Sequence, residues 1–256
     1  MNGKKIILMG SMDYGVPIFG AIANAYDVVA VFTRAPKPAG RKNILTKTPV
    51  HVWAEERGIP VFTNINKIEE AERPDYIIVA FYGVILRDNV LNYAPCLCIH
   101  PSLLPKYRGP SPIREAIMNG DSESGVCVMK MAAEVDAGDI FMCEKFPIGE
   151  NETTLDVRKR VSEITGPMVL KYLENPDAYP PAPQIGAPTF TKKITSESLI
   201  IDWKKTPLEI HNQIRAIGGR AVINGIDVRI IKTKIENGEL RLFSRPGKIP
   251  CRGRTL

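Results

Sequence analysis

Long hydrophobic runs are missing from this 256-residue chain. No apolar stretch approaches the ~18–20 residues of a membrane-spanning helix, so no helical membrane span is expected. The opening stretch, Met1 to Gly10, has too short an apolar segment and no small-residue cleavage site for a secretory signal, and reads as a first β-strand. Neither a GxGxxG turn nor a Walker-type phosphate loop occurs, which leaves nothing that argues for NAD or ATP. Low-complexity tracts and internal repeats are also absent. Cysteine is sparse and odd in number, at five, in a chain long enough to bury an adequate core, so reduced thiols and a cytoplasmic setting are expected. Histidine is rarer still, with only His51, His100 and His211. With 44% hydrophobic and 24% charged residues, composition excludes a disordered or fibrous chain.

The charge is unevenly placed. Residues 1–189 carry a net charge of −2 and residues 190–256 a net of +8. A second basic stretch, 28–54, contains Arg34, Lys37, Arg41, Lys42 and Lys47 and no acid. A solvated face explains one such stretch; two separate basic stretches point toward a polyanion, with nucleic acid the first candidate.

Strand and helix signals alternate over the first 190 residues. Strands are expected at 5–9, 28–32, 59–62, Tyr76–Ala80 and 97–100, and helices at Val16–Ala25, 49–57 and 161–173. Interleaving of this kind implies an open, mostly parallel sheet with helices on both faces, an α/β domain whose ligands sit beyond the carboxyl ends of the strands. A Pro-rich segment, 176–190, reads as a stiff linker. Beyond it, 191–256 reads as a small basic domain: a helix at 206–217 closed by Gly218-Gly219, strands at 221–223, 228–231 and 240–243, a turn at Asn224-Gly225, and an irregular tail from Arg245.

His51 and His211 lie in expected helices among ordinary polar neighbours and read as surface residues. His100 differs, since it ends a buried strand and opens the loop His100-Pro101-Ser102-Leu103-Leu104-Pro105-Lys106-Tyr107-Arg108-Gly109. An imidazole at the carboxyl end of a strand, on a loop stiffened by proline, is a candidate catalytic group. Strand alternation puts Cys96, Cys98 and His100 on one face. Two thiols and one imidazole on a single strand make poor tetrahedral spacing, so no metal is expected.

The His100 loop together with Val135-Asp136-Ala137-Gly138-Asp139-Ile140 resembles the folate-dependent formyltransferases. Residues 7–17, Lys37-Pro38-Ala39-Gly40-Arg41-Lys42, Lys193-Ile194 and Ile201-Asp202-Trp203 are similar to the methionyl-tRNA branch of that family. The resemblance spans nearly the whole chain. It implies a Rossmann-like catalytic domain (1–175) and a reduced OB-like C-terminal domain, shorter than the family's usual barrel. It also implies transfer of formyl from 10-formyltetrahydrofolate to the amine of initiator methionyl-tRNA in translation initiation, by a monomer with no metal. By the same resemblance His100 donates to the formyl oxygen, Asp136 orients the ring or takes the amine proton through water, and Asp139 is the nearby substitute. Folate is expected against Phe81, Tyr82, Gly83, Val84, Ile85 and Leu86, against Ser102, Leu103, Leu104 and Pro105, and against Glu134 and Val135. Arg41, Lys42, Lys192, Lys193, Arg215, Arg220, Arg229, Lys232 and Lys234 are expected on tRNA phosphates.

Cys98 departs from the family, whose members carry an Asn there that donates to the formyl oxygen. A thiol is a weak donor. Hydrolysis of the formyl-folate, or formylation of an amino-sugar nucleotide or glycinamide ribotide, are the alternative activities, and RNA binding without turnover is a third.

Overall fold

The computed structural model describes residues 2–40, 42–223 and 225–244. Arg41 and the tail from Arg245 lie outside the described residues. Seven strands form the main sheet: β1 (Asn2–Gly10), β2 (Tyr26–Phe32), β5 (Val61–Phe62), β6 (Tyr76–Ala80), β7 (Cys96–His100), β8 (Glu123–Lys130) and β9 (Ile140–Pro147), in the spatial order β5-β2-β1-β6-β7-β8-β9. The first five in that order are parallel, and β8 and β9 run antiparallel at the edge. A hairpin of β3 (Lys37–Ala39) and β4 (Ile44–Thr46) carries the exposed Lys37 and Lys42 of the 28–54 basic stretch.

The centre is buried on both faces, which is why Ile6, Ile7, Leu8 and Met9 run on without alternation: all are fully buried. One face packs against α1 (Val16–Ala25), α2 (Pro49–Glu55), α4 (Pro112–Met118) and α5 (Thr154–Glu174). The other takes Ile7, Met9, Val79, Tyr82 and Leu86 with α3 (Asp88–Leu91). The chain order reverses between β1 and β6, so the crevice beyond their carboxyl ends is where such a sheet binds ligands.

Helix α5 begins at Thr154, seven residues before its expected start. Thr153 and Asp156 close a capping box there, and Arg158-Lys159-Arg160 dilutes the apolar stripe of Val157, Val161, Met168 and Val169. Helix α6 (Pro207–Ile217) also opens on a capping box, Thr206 with Glu209, and ends at Gly218, whose φ of 82° suits glycine. It packs on β10 (Gly219–Ile223), β11 (Ile226–Glu236) and β12 (Glu239–Ser244), a three-stranded antiparallel sheet around Ile210, Ile214, Val228 and Ile230.

Two histidines are not where the sequence put them. His51 is buried, with Nε2 3.2 Å from Glu55 Oε1. His211 is also buried and joins the two domains: Nε2 donates to the Glu150 carbonyl (3.1 Å) and Nδ1 meets the Thr233 hydroxyl (2.8 Å). Arg215, expected on phosphate, is turned inward instead, where it donates to the carbonyls of Gly149 and Glu152 and to Asn212 Oδ1. A helix packed against the other domain offers its polar residues a second protein surface, and periodicity alone does not reveal that.

Burial lowers the His211 pKa below 6.5, with Arg215 adding to the effect and the Glu150 contact opposing it. The unfolded chain therefore takes up a proton first on acidification. Stability from this group is complete above pH 6.5 and is lost as pH falls below it. His211→Gln, which removes the titration, is expected to flatten the fall in melting temperature below that pH. An unchanged slope in calorimetric scans would count against this account.

Cys127 and Cys143 face each other across β8 and β9 with Cα atoms 4.1 Å apart and are paired as a disulfide. The expectation of reduced thiols is corrected for these two, while Cys96 and Cys98 are free. Among the described residues no helix is long and apolar enough to cross a membrane.

Candidate active site

The carboxyl end of β7 delivers His100 to the rim of the sheet, where 4% of its surface is exposed. Its Nε2 donates to the Tyr107 carbonyl at 2.9 Å, and its Nδ1 lies 3.4 Å from Asp136 Oδ2. Both ring nitrogens thus face acceptors. A neutral ring can donate to one only, and a second proton would satisfy both. Burial holds the ring's pKa below its ordinary value, opposed by the Asp136 charge and the Tyr107 carbonyl.

Asp136 sits on the loop between β8 and β9 with φ of 51°, a left-handed conformation that a short polar side chain tolerates. Its Oδ2 also accepts the Gly109 N–H at 2.7 Å, which ties the carboxylate to the His100 loop. Gly138 is needed nearby, because a Cβ there would come within 1.8 Å of the Lys130 carbonyl oxygen. Asp139 points to solvent and makes no bond to His100. The two residues singled out from 36 positions apart in the chain are in contact.

A residue that sequence reasoning missed locks this arrangement. Gln184, in the Pro-rich segment, accepts from Arg108 Nε (3.1 Å) and Nη2 (2.8 Å) through its amide oxygen. Its amide nitrogen donates to the carbonyls of Asp136 (2.8 Å) and Gly138 (2.9 Å). Residues 189–191 then run beside Arg108, with Arg108 N–H on the Thr189 carbonyl and Thr191 N–H on the Arg108 carbonyl. The segment is a brace for the site as well as a connector. One polar side chain among prolines was its only signal.

Cys98 lies two residues before His100 on the same face, buried with Leu104, Cys127 and Met129. Desolvation and the nearby Asp136 charge push its thiol far above the usual range, so it stays protonated. Of the residues expected on folate, Gly83, Ile85, Glu134 and Val135 are exposed, and Phe81, Val84, Leu103 and Pro105 are half-buried. Tyr82, Leu86 and Leu104 are buried. Ser102 is fully buried, with its hydroxyl on the Lys106 carbonyl. Glu134 pairs with Arg108. Ile85 is 83% and Val135 55% exposed, so two large apolar side chains stand in solvent on loops at this rim.

A model of the formyl transferase family matches residues 12–172, and one of the formyl transferase C-terminal domain matches residues 193–252. The chain belongs to the formyl transferase family. Among formyl transferases, the methionyl-tRNA formyltransferase of Anaplasma phagocytophilum (strain HZ) is 39% identical over 244 residues, covering 90% of this chain and 80% of the relative. That of Ehrlichia ruminantium (strain Gardel) is 37% identical over 273 residues, covering 98% and 89%. The solved methionyl-tRNA formyltransferase from Clostridium thermocellum shares the fold at a TM-score of 0.69 and 16% identity, covering 94% of this chain and 98% of its own. WlaRD, a sugar 3N-formyl transferase solved with dTDP and 5-N-formyl-THF, shares it at a TM-score of 0.70 and 21% identity, covering 95% of each chain.

Proposed function

We propose that this formyl transferase moves a formyl group from 10-formyltetrahydrofolate to the amino group of initiator methionyl-tRNA, in the cytoplasm. The observation that carries the chemistry is the His100–Asp136 contact at the rim of the sheet; the relatives of similar length carry the choice of acceptor. The folate co-substrate would supply an electrophilic one-carbon group on a nitrogen leaving group. Its rings would lie against Ile85 and Val135, whose exposed side chains otherwise have no apolar cover, and the open, positive-φ Gly83 leaves the backbone of 82–84 free to hydrogen-bond a heterocycle edge.

Transfer forms a bond from the amine nitrogen to the formyl carbon and breaks the bond from that carbon to the folate nitrogen. One proton must leave the amine and one must reach the leaving nitrogen. Asp136 is half-buried and is the member of the pair with more access to solvent, so it takes the amine proton, directly or through one water. His100 shares that proton. A ring held between Tyr107 O and Asp136 becomes cationic with both N–H groups satisfied, which favours negative charge on the formyl oxygen.

Lys42, Lys192, Lys193, Arg229 and Lys232 are exposed, as phosphate contacts must be; Arg220 and Lys234 are also exposed but are paired with Asp227 and Glu236. Activity on tRNA is expected to fall at least ~10-fold between 50 and 200 mM salt, because the gain from releasing condensed counterions shrinks as bulk salt rises. A flat salt response would remove the phosphate role from these residues. The function itself is tested by supplying 10-formyltetrahydrofolate with and without methionyl-tRNA and following formyl-methionine and formate separately. Formyl-methionine is the expected product. Formate alone, or neither product, would overturn the proposal.

A further inference from the structure

Two arginines at the rim have no acidic partner among the described residues. Arg114 is on the first turn of α4 and Arg158 near the start of α5, both half-buried. The Nε atoms of both are buried without a hydrogen-bond partner. Arg158 lies over the Tyr14 ring, 4.8 Å from its centroid, and Tyr14 in turn packs on Phe81 with ring centroids 4.0 Å apart. The Tyr14 turn is fixed from below, because Ser162 of α5 donates to its carbonyl. Asp13, beside Tyr14 in the chain, accepts the Tyr14 N–H and forms no ion pair among the described residues.

Two like charges brought close at a half-desolvated rim are unfavourable unless an anion joins them. Burial and the Arg158 charge both lower the Arg114 pKa, a sign of that mutual repulsion. Burial also raises Tyr14 to about 12, so its hydroxyl is a neutral donor beside the two cations. Tyr14 and Phe81 follow β1 and β6, the strands between which the chain order reverses. From there to His100 on β7 is about two inter-strand spacings, or roughly 10 Å. The arginines come from the helical face on which α6 docks, opposite the face that buries Tyr82 and Leu86. An anion held here would therefore belong to the acceptor rather than to the folate.

We propose that Arg114, Arg158 and the Tyr14 hydroxyl form a subsite for a phosphodiester near the amine-bearing end of the acceptor. This rests on the reading of the acceptor as an aminoacylated RNA. In that case the group held is a backbone phosphate of the 3′-terminal nucleotides.

Binding of the trinucleotide CpCpA to the full chain, by calorimetry at low salt, tests the subsite without any need for formyl transfer. Arg114→Gln and Arg158→Gln are each expected to weaken that binding ~10-fold, as for loss of a charged hydrogen bond. With methionyl-tRNA they are expected to raise KM more than they lower kcat. Equal trinucleotide affinity in wild type and both variants, with melting temperatures retained, would overturn the subsite. So would a selective loss of affinity for triglutamyl tetrahydrofolate, since the anion would then be a folate carboxylate. If wild type binds the trinucleotide through these arginines but makes no formyl-methionine, the subsite stands and the proposed activity falls. The reverse pattern has the opposite meaning.

Discussion

Replacing His100 with Ala is expected to lower kcat for formyl transfer by ~10³–10⁴, the scale on which a positioned acid–base group acts. The loss should reside in kcat more than in KM, because the ring is buried and touches the Tyr107 carbonyl and Asp136 rather than a broad binding surface. Truncation leaves a cavity and two unsatisfied acceptors, so some stability is lost as well. His100→Asn separates the effects, since its amide can still donate to one acceptor but cannot share the amine's proton. Asp136→Asn tests the other half: an amide oxygen can keep the Gly109 N–H bond while the base is gone, and a loss of ~10²–10³ is expected with the fold intact. Burial lowers the His100 pKa, so the neutral ring persists to below pH 6.5. The rate should then be level through pH 7 and fall only under pH 6.5. Substantial turnover by His100→Ala, or a wild-type acid limb beginning above pH 7, would remove His100 from the chemistry.

The parts of the fold legible in the sequence are those whose burial is uniform. Tyr76–Ala80 is five apolar or aromatic residues in a row because helices cover both its faces, and Val16–Ala25 has Pro17 in its first turn; both elements have the expected bounds. Strands β8 and β9 gave no such signal. Glu123–Lys130 is broken by Ser124 and Gly125, and Gly125 is small because Leu103 and the Glu144 carbonyl crowd it. The site was legible only in outline. His100 stands out as an imidazole at the end of a buried strand. Its partner does not, because an Asp before Ala137-Gly138 reads as an ordinary turn residue, while the left-handed turn at Tyr107, on the His100 loop, uses a residue with no turn signature. The family resemblance supplied Asp136. Gln184, whose work is done through backbone carbonyls of the same loop, was visible to neither.

Cys98→Asn is expected to raise kcat, by as much as ~10²-fold, because one strong oxyanion donor is worth ~10²–10³ in rate. The argument starts from space. Cysteine and asparagine differ little in volume, and the site is already shaped by Leu104 and Met129, so the amide can enter without repacking. Its direction is set by the strand: residue 98 shares the face of His100, whose ring marks where negative charge develops. The thiol present now is a weak donor and, with its pKa pushed far up, cannot act as an anion either. A second N–H of the introduced amide would feel the Asp136 carboxylate, the charge that already bears on Cys98. Cys98→Ala calibrates the result. If the thiol donates nothing, Ala matches wild type and Asn exceeds both. If the thiol is a working donor, Ala falls below wild type and the gain from Asn shrinks. An Asn variant slower than wild type, at an unchanged melting temperature, would mean that this site stabilises the formyl oxygen from another direction, with the neighbours of Cys98 tuned to a thiol.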